Sequence, residues 1–140
     1  MLSLGMITIV VDDYDVAKNY YLNKLGFKLI EDSQIDSEKR WVVVSPGEFG
    51  ANILLAKAGT RRQQNAIGKS AGGRVGFFLF TNNFEKTYKT FKQNRVKFLE
   101  DPREESYGRV VVFCDKYGNK WDLIEAQKRK PARALGKGKK

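Results

Sequence analysis

The sequence predicts an α+β chain made of two tandem βαβββ modules. Three observations carry that prediction: four segments recur in the same order about 70 residues apart, each copy alternates strand-like and helix-like patterns in one sequence, and the composition is that of a packed domain. "TIVVDDYDVAKNYY" (8–21) returns as "FLFTNNFEKTYKTF" (78–91), and "FKLIED" (27–32) as "VKFLED" (96–101). "RWVVV" (40–44) returns as "RVVVF" (109–113), and "NILLA" (52–56) as "DLIEA" (122–126). Offsets of 69 or 70 residues throughout identify one duplicated unit. The chain has 140 residues, 41% of them hydrophobic, enough to bury a core.

Each copy begins with an apolar, β-branched strand, near 5–11 and 74–80. A pair of turn-forming residues follows, Asp12-Asp13 or Asn82-Asn83, then an aromatic and an acid. Such residues cap a helix N-terminus, and the acid suits the helix dipole. Helices are therefore expected near 14–24 and 84–94. Gly26 stands where the first helix needs a C-terminal glycine. Three strands complete each copy, near 27–31, 40–45 and 51–57, then 96–100, 108–114 and 120–125. In "KWDLIE" (120–125) the two-residue period puts Asp122 with Ile124 on one face, and Trp121 with Leu123 and Glu125 on the other. Module 1 spans about 5–57 and module 2 about 74–126, within one domain of residues 1–126. Between them, "AGTRRQQNAIGKSAGG" (58–73) is a polar loop long enough to act as a lid or a partner contact.

The chain contains no histidine, so Ser-His-Asp and Cys-His catalysis are excluded and the commonest metal ligand is missing. Cys114 is the only cysteine, which rules out an internal disulfide and fits a reducing cytoplasm. No apolar run is long enough to cross a bilayer. The net charge of +10 is uneven: seven basic residues and no acid lie in 127–140, leaving +3 over residues 1–126. That tail reads as a solvated, flexible extension, and a nucleic-acid contact is expected only through it.

These segments resemble the vicinal oxygen chelate superfamily, which includes glyoxalase I, bleomycin-resistance proteins and extradiol dioxygenases. "VVDDYDVAKNYYLNKLGFKLIED" looks like the opening of its first module. The stretch 72–126, with its "D-x-x-G-N" turn at Asp115, Gly118 and Asn119, looks like its second. The resemblance implies a cup-shaped, partly open β-barrel with helices outside, a small-molecule site between the modules, and a homodimer. It maps the family's metal positions onto Met6, Asn52, Gly76 and Asp122. A thioether, a neutral amide, no side chain and one carboxylate are a poor set for a hard divalent ion, so no cofactor is expected.

The expected function is binding of a small organic molecule in the cup without a catalytic metal. Candidate binding residues are Asp122, Asn52, Met6, Gly76, Phe78, Phe80, Arg40, Arg109 and Tyr107. Asp122 reads either as a ligand contact or as a structural hydrogen-bonding acid. Arg40 and Arg109 hold equivalent places in the two copies; they would suit an anionic ligand if both faced the cup, or lie along strand ends. Gly76 would leave room for a ligand. Phe78 and Phe80 would form an apolar wall. The alternative is a lyase or isomerase related to glyoxalase I, using Asp122, Glu104, Glu105 or Tyr107 for acid–base work. The last three fall in the loop "PREESYG" (102–108), a candidate cup rim.

Overall fold

The computed structural model describes residues 1–126; the basic tail lies outside the described residues. Module 1 contains β1 (Met6–Val11), α1 (Tyr14–Asn23), β2 (Lys28–Gln34), β3 (Arg40–Ser45) and β4 (Asn52–Lys57). A short helix α2 (Arg61–Ala66) precedes module 2, which contains β5 (Val75–Phe80), α3 (Phe84–Gln93), β6 (Lys97–Phe98), β7 (Arg103–Glu105), β8 (Gly108–Cys114) and β9 (Lys120–Ala126). The sheets have the same strand order, β1-β4-β3-β2 and β5-β9-β8-β6, with β7 added against β8. In each, the first and last strands run parallel and the remaining pairs antiparallel. The two sheets share no ladder, so no closed barrel forms.

The caps are those the sequence requires. Asp13 accepts a hydrogen bond from the Val16 amide at 2.9 Å and Asn83 one from the Lys86 amide at 3.2 Å. Each first-turn acid then meets the arginine that opens the third strand of its module. Arg40 lies 2.9 Å from Asp15 and over the Tyr14 ring, and Arg109 pairs with Glu85 and lies over the Phe84 ring. The duplicated arginines therefore fasten helix to sheet on the helix side. Neither faces a cavity, because residues 40 and 109 share strand parity with core residues Val42 and Val111.

Two segments depart from the sequence expectation. The strand expected at 96–100 ends as a regular element at Phe98. Pro102 has no amide to donate, and the ladder against β8 resumes at Arg103. "PREESYG" is thus half of a hairpin rather than a loop. The linker is also less open than expected. Thr60 caps α2 through a reciprocal capping box with Gln63. Gly68 sits so close to the Tyr117 carbonyl that an added Cβ would lie 1.9 Å from the oxygen. Ser70 contacts Asn119 at 3.1 Å. The second half of the linker is clamped to the turn before β9 and does not reach across as a lid.

Both sheets turn one face toward a single core. Ile9, Val11, Val42, Val44, Ile53 and Leu55 from the first pack with Val111, Phe113, Trp121 and Leu123 from the second. Tyr21 and Phe27 of module 1 reach the Trp121 ring, at 6.3 and 5.9 Å between centroids. Under that aromatic contact lies Asp115, 5% exposed. It accepts hydrogen bonds from the Tyr21 hydroxyl at 2.6 Å and the Trp121 indole at 3.0 Å. The Tyr117 and Asn119 amides and the Asn119 side chain supply three more, at 2.9, 3.0 and 3.1 Å. Burial raises the Tyr21 pKa well above the usual tyrosine value, and the nearby Asp115 charge adds to this, so the hydroxyl remains a donor.

Two variants separate these contributions. Tyr21→Phe is expected to lower unfolding free energy by about 1–2 kcal/mol, the value of one hydrogen bond to a charged acceptor. Asp115→Ala strands five donors and is expected to remove about 3–5 kcal/mol. Urea denaturation followed by circular dichroism checks both, and an Asp115→Ala protein as stable as wild type would contradict the account.

Candidate functional site

The sheet faces opposite the core carry some of the predicted site residues: Met6 and Asn52 on β1 and β4, beside Thr8 and Leu54, and Phe78, Phe80 and Asp122 on β5 and β9, beside Val110, Val112 and Ile124. Phe78 and Phe80 are 57% and 66% exposed, and Met6 is 38% exposed. Three large apolar side chains on open sheet surface need a covering partner or ligand. Opposite the core, the structure therefore leaves Phe78, Phe80 and Met6 exposed, Asn52 half-buried and Asp122 buried, and puts Arg40 and Arg109 on the other side.

The ladders correct one equivalence. The repeat offset of 70 matches Asp122 to Asn52. In the structure, Asp122 stands opposite Phe78 on one side and Val112 on the other. The residue of module 1 with the corresponding neighbours is Leu54, opposite Thr8 and Val43. A β-bulge between Val75 and Phe77 leaves Gly76 as the unpaired residue and shifts the register. Gly76 does not leave ligand space either: an added Cβ would lie 2.9 Å from the Ala71 methyl, so the linker fills the position.

Asp122 is 7% exposed, and its Oδ1 is buried with no hydrogen-bond partner. Buried acids are ordinarily paired, so this one is an exception that calls for a cause. Burial raises its pKa above the usual carboxylate range; the Arg103 charge opposes that rise and the Glu100 charge adds to it. Those two neighbours come from the β6–β7 connection and β7. Glu100 accepts from the Val112 amide at 3.0 Å and pairs with Arg103 at 3.0 Å. Arg103 also pairs with Glu105 and reaches the Tyr107 hydroxyl at 3.5 Å. Arg103 opposes Val110 across the ladder and so lies on the Asp122 face. Glu104 lies on the other face and pairs with Arg109 at 3.2 Å, which removes it as a partner for Asp122. The site thus holds Asp122 with Glu100, Arg103, Glu105 and Tyr107 at the edge of an apolar surface. Glu100 escaped the sequence reading because the repeat made it part of a plain strand. Its fixed spacing to Arg103 was the available signal.

The metal positions implied by resemblance do not fit an ion. Met6 offers a thioether and Gly76 no side chain, and the ladder puts Leu54 where Asp122's counterpart should be. Among the described residues no three His, Cys, Asp or Glu side chains are grouped to hold a metal.

A sequence model of the Glyoxalase/Bleomycin resistance protein/Dioxygenase superfamily matches residues 3–123. The chain belongs to this superfamily. A protein of Shewanella frigidimarina described only as uncharacterized is 47% identical over 131 residues, covering 92% of this chain and 97% of its own. UcmS2, a protein of known structure, is 30% identical with a TM-score of 0.78, covering 90% of this chain and 99% of its own. TnmS3, an antibiotic binding protein from Streptomyces sp. CB03234, shares the superfamily fold at 22% identity and a TM-score of 0.73, over 91% of this chain and 98% of its own. No helix among the described residues is long and apolar enough to cross a membrane.

The position of Leu54 suggests a direct test of Asp122. An apolar residue already fits the equivalent site, so Asp122→Leu is expected to raise stability at pH 7 by about 1–3 kcal/mol by removing an unsatisfied buried acid. The folded-state pKa of Asp122 is raised, so the native state binds the extra proton. The penalty is absent below the unfolded carboxylate value, 3.8, develops as pH rises from there towards the folded value, and is complete above it. The stability advantage of Asp122→Leu should accordingly shrink in acid. Paired urea melts at pH 7 and pH 3.5 measure this, and a gain that is constant or larger in acid would contradict it.

Proposed function

We propose that this chain is a binding protein of the glyoxalase/bleomycin-resistance type, holding a small organic molecule against the Asp122 face without a catalytic metal. The observation that carries the reading is the buried, unpartnered Asp122 oxygen beside the exposed Phe78 and Phe80. Such a surface suits a ligand with a planar apolar body and one hydrogen-bonding group: the rings stack or pack on the body, and the acid takes the polar group. As a carboxylate Asp122 accepts from an N–H or O–H; in its neutral form it donates to a carbonyl. Arg103 is already balanced by Glu100 and Glu105, so the rim adds polarity without favouring an anionic ligand. An antibiotic is the kind of molecule that TnmS3 holds with this fold.

The cup is completed, in this reading, by a second copy. Both sheets spend their other face on the chain's own core, so each open face needs a surface from elsewhere. Two chains that bring the Met6 face of one against the Phe80 face of the other would cover both and enclose the ligand. A second reading, acid–base chemistry of the lyase or isomerase kind, is favoured only by the raised pKa of Asp122, which suits a proton donor.

A thermal-shift screen of planar aromatic compounds bearing amine, amide or carboxylate groups tests the binding reading. A saturable stabilisation by amines or amides is expected, lost in Asp122→Leu although that variant is itself more stable. Stabilisation that survives the substitution unchanged would refute the role of Asp122. Light scattering after gel filtration should give a dimer for wild type and a monomer for Phe80→Glu. A monomeric wild-type protein would refute closure by a second copy.

A further inference from the structure

A cleft of about 450 Å³ opens between α1 and the β6–β8 edge of module 2, and Asp122 is not among the residues that line it. Four of its lining residues are cations: Lys24, Arg95, Lys97 and Lys116. Tyr20 and Cys114 also line it. All ion pairs among the described residues are made by Lys18, Arg40, Arg103 and Arg109, so none of these four cations has a carboxylate partner. The one acid in the lining, Asp115, is buried and already accepts five hydrogen bonds. Lys24 gives one of its donors to the Asn94 carbonyl at 2.7 Å, which holds its ammonium at the cleft.

Arg95 sharpens the case. It is the only non-glycine among the described residues with positive φ, +64°. It ends α3 in a Schellman turn, with Arg95 N–H bonded to the Lys92 carbonyl at 3.0 Å and Val96 N–H to Phe91 at 2.9 Å. Glycine is the residue suited to that position, and the first module has it: Gly26, φ +72°. Module 2 thus carries an arginine at a backbone site that disfavours it, and that arginine lines a cleft with three lysines.

We propose that this cleft binds a compact phosphate-type anion carrying two or more negative charges. Four cations without a carboxylate partner among the described residues line one concavity of ligand size, the setting for charge-assisted recognition of phosphate oxygens. The site uses α1 of one module and the β6–β8 edge of the other, so the anion bridges the two modules beside the Tyr21–Asp115 contact. It is separate from the Asp122 surface and independent of the ligand proposed there.

Inorganic pyrophosphate is the probe, titrated calorimetrically into the full chain at fixed ionic strength. Saturable binding of one anion per chain is expected. Arg95→Gly and Lys97→Gln should each weaken it about ten-fold, the effect of one charge-assisted contact. Arg95→Gly should also raise the anion-free melting temperature, since glycine relieves the backbone, so lost binding cannot be lost folding. Lys28→Gln, at the module 1 counterpart of Lys97, and Asp122→Leu, outside the cleft lining, should each stay within about two-fold of wild type. Arg95→Gly binding as tightly as wild type would overturn the site. An equal loss in Lys28→Gln would overturn it too, by showing general attraction to a basic protein. So would retention of a single-stranded oligonucleotide without any pyrophosphate binding.

Discussion

Asp115, 5% exposed, takes five hydrogen bonds, and one of them comes from a tyrosine 94 positions earlier in the chain. That acid sets the turn before β9 through its backbone donors. It orients Trp121 through the indole, and it ties α1 of module 1 to the last strand of module 2. A buried carboxylate is tolerated only when such donors surround it. The requirement propagates outward. The turn must keep its shape, Gly68 must lie against the Tyr117 carbonyl, and the linker must take the path that lets Ala71 fill the space beside Gly76. The relation between the modules is therefore fixed by a polar knot embedded in an aromatic core.

The two copies agree where they build the scaffold and differ where chemistry is at stake. Helix caps, first-turn acids and their arginines are preserved as a set, because each piece fastens a helix to its own sheet. The departures fall at three places: Leu54 against Asp122, Gly26 against Arg95, and a hairpin strand, β7, that module 1 lacks. Each puts a charged group where the other copy manages without one. Local inconsistency of this sort is what a functional position leaves behind in an otherwise self-consistent chain.

The scaffold was legible in the sequence because duplication writes every signal twice. The capping pairs, the strand parity around Trp121 and Asp122, and the order of elements all follow from local chemistry repeated at a constant offset. The cup residues were legible only in part. Parity put Asp122 with Ile124 on one face of its strand and Phe78 with Phe80 on one face of theirs, since the two-residue period is local; that the two faces are the same follows only from the β5–β9 ladder. Register was not legible, because the bulge at Gly76 is a ladder property with no local signature, and so Asn52 stood in for Leu54. The arginines misled for a related reason: equivalent places in two copies say nothing of which face they occupy until a helix partner is known. Pro102 marked the break between β6 and β7, and reading it as the edge of a loop hid the hairpin that carries Arg103.

The 94-residue span of the Tyr21–Asp115 contact also bears on how the chain is made. Synthesis runs from module 1 to module 2, and β9 is the last of the described elements to leave the ribosome. Until it does, Tyr21 and Phe27 have no Trp121 to pack against, and β5, which pairs in parallel only with β9, has no ladder at all. Parallel pairings and distant contacts close slowly. The nascent first half therefore presents aromatic surface for most of its translation, and the chain reaches its stable form in one late step when β9 slots between β5 and β8.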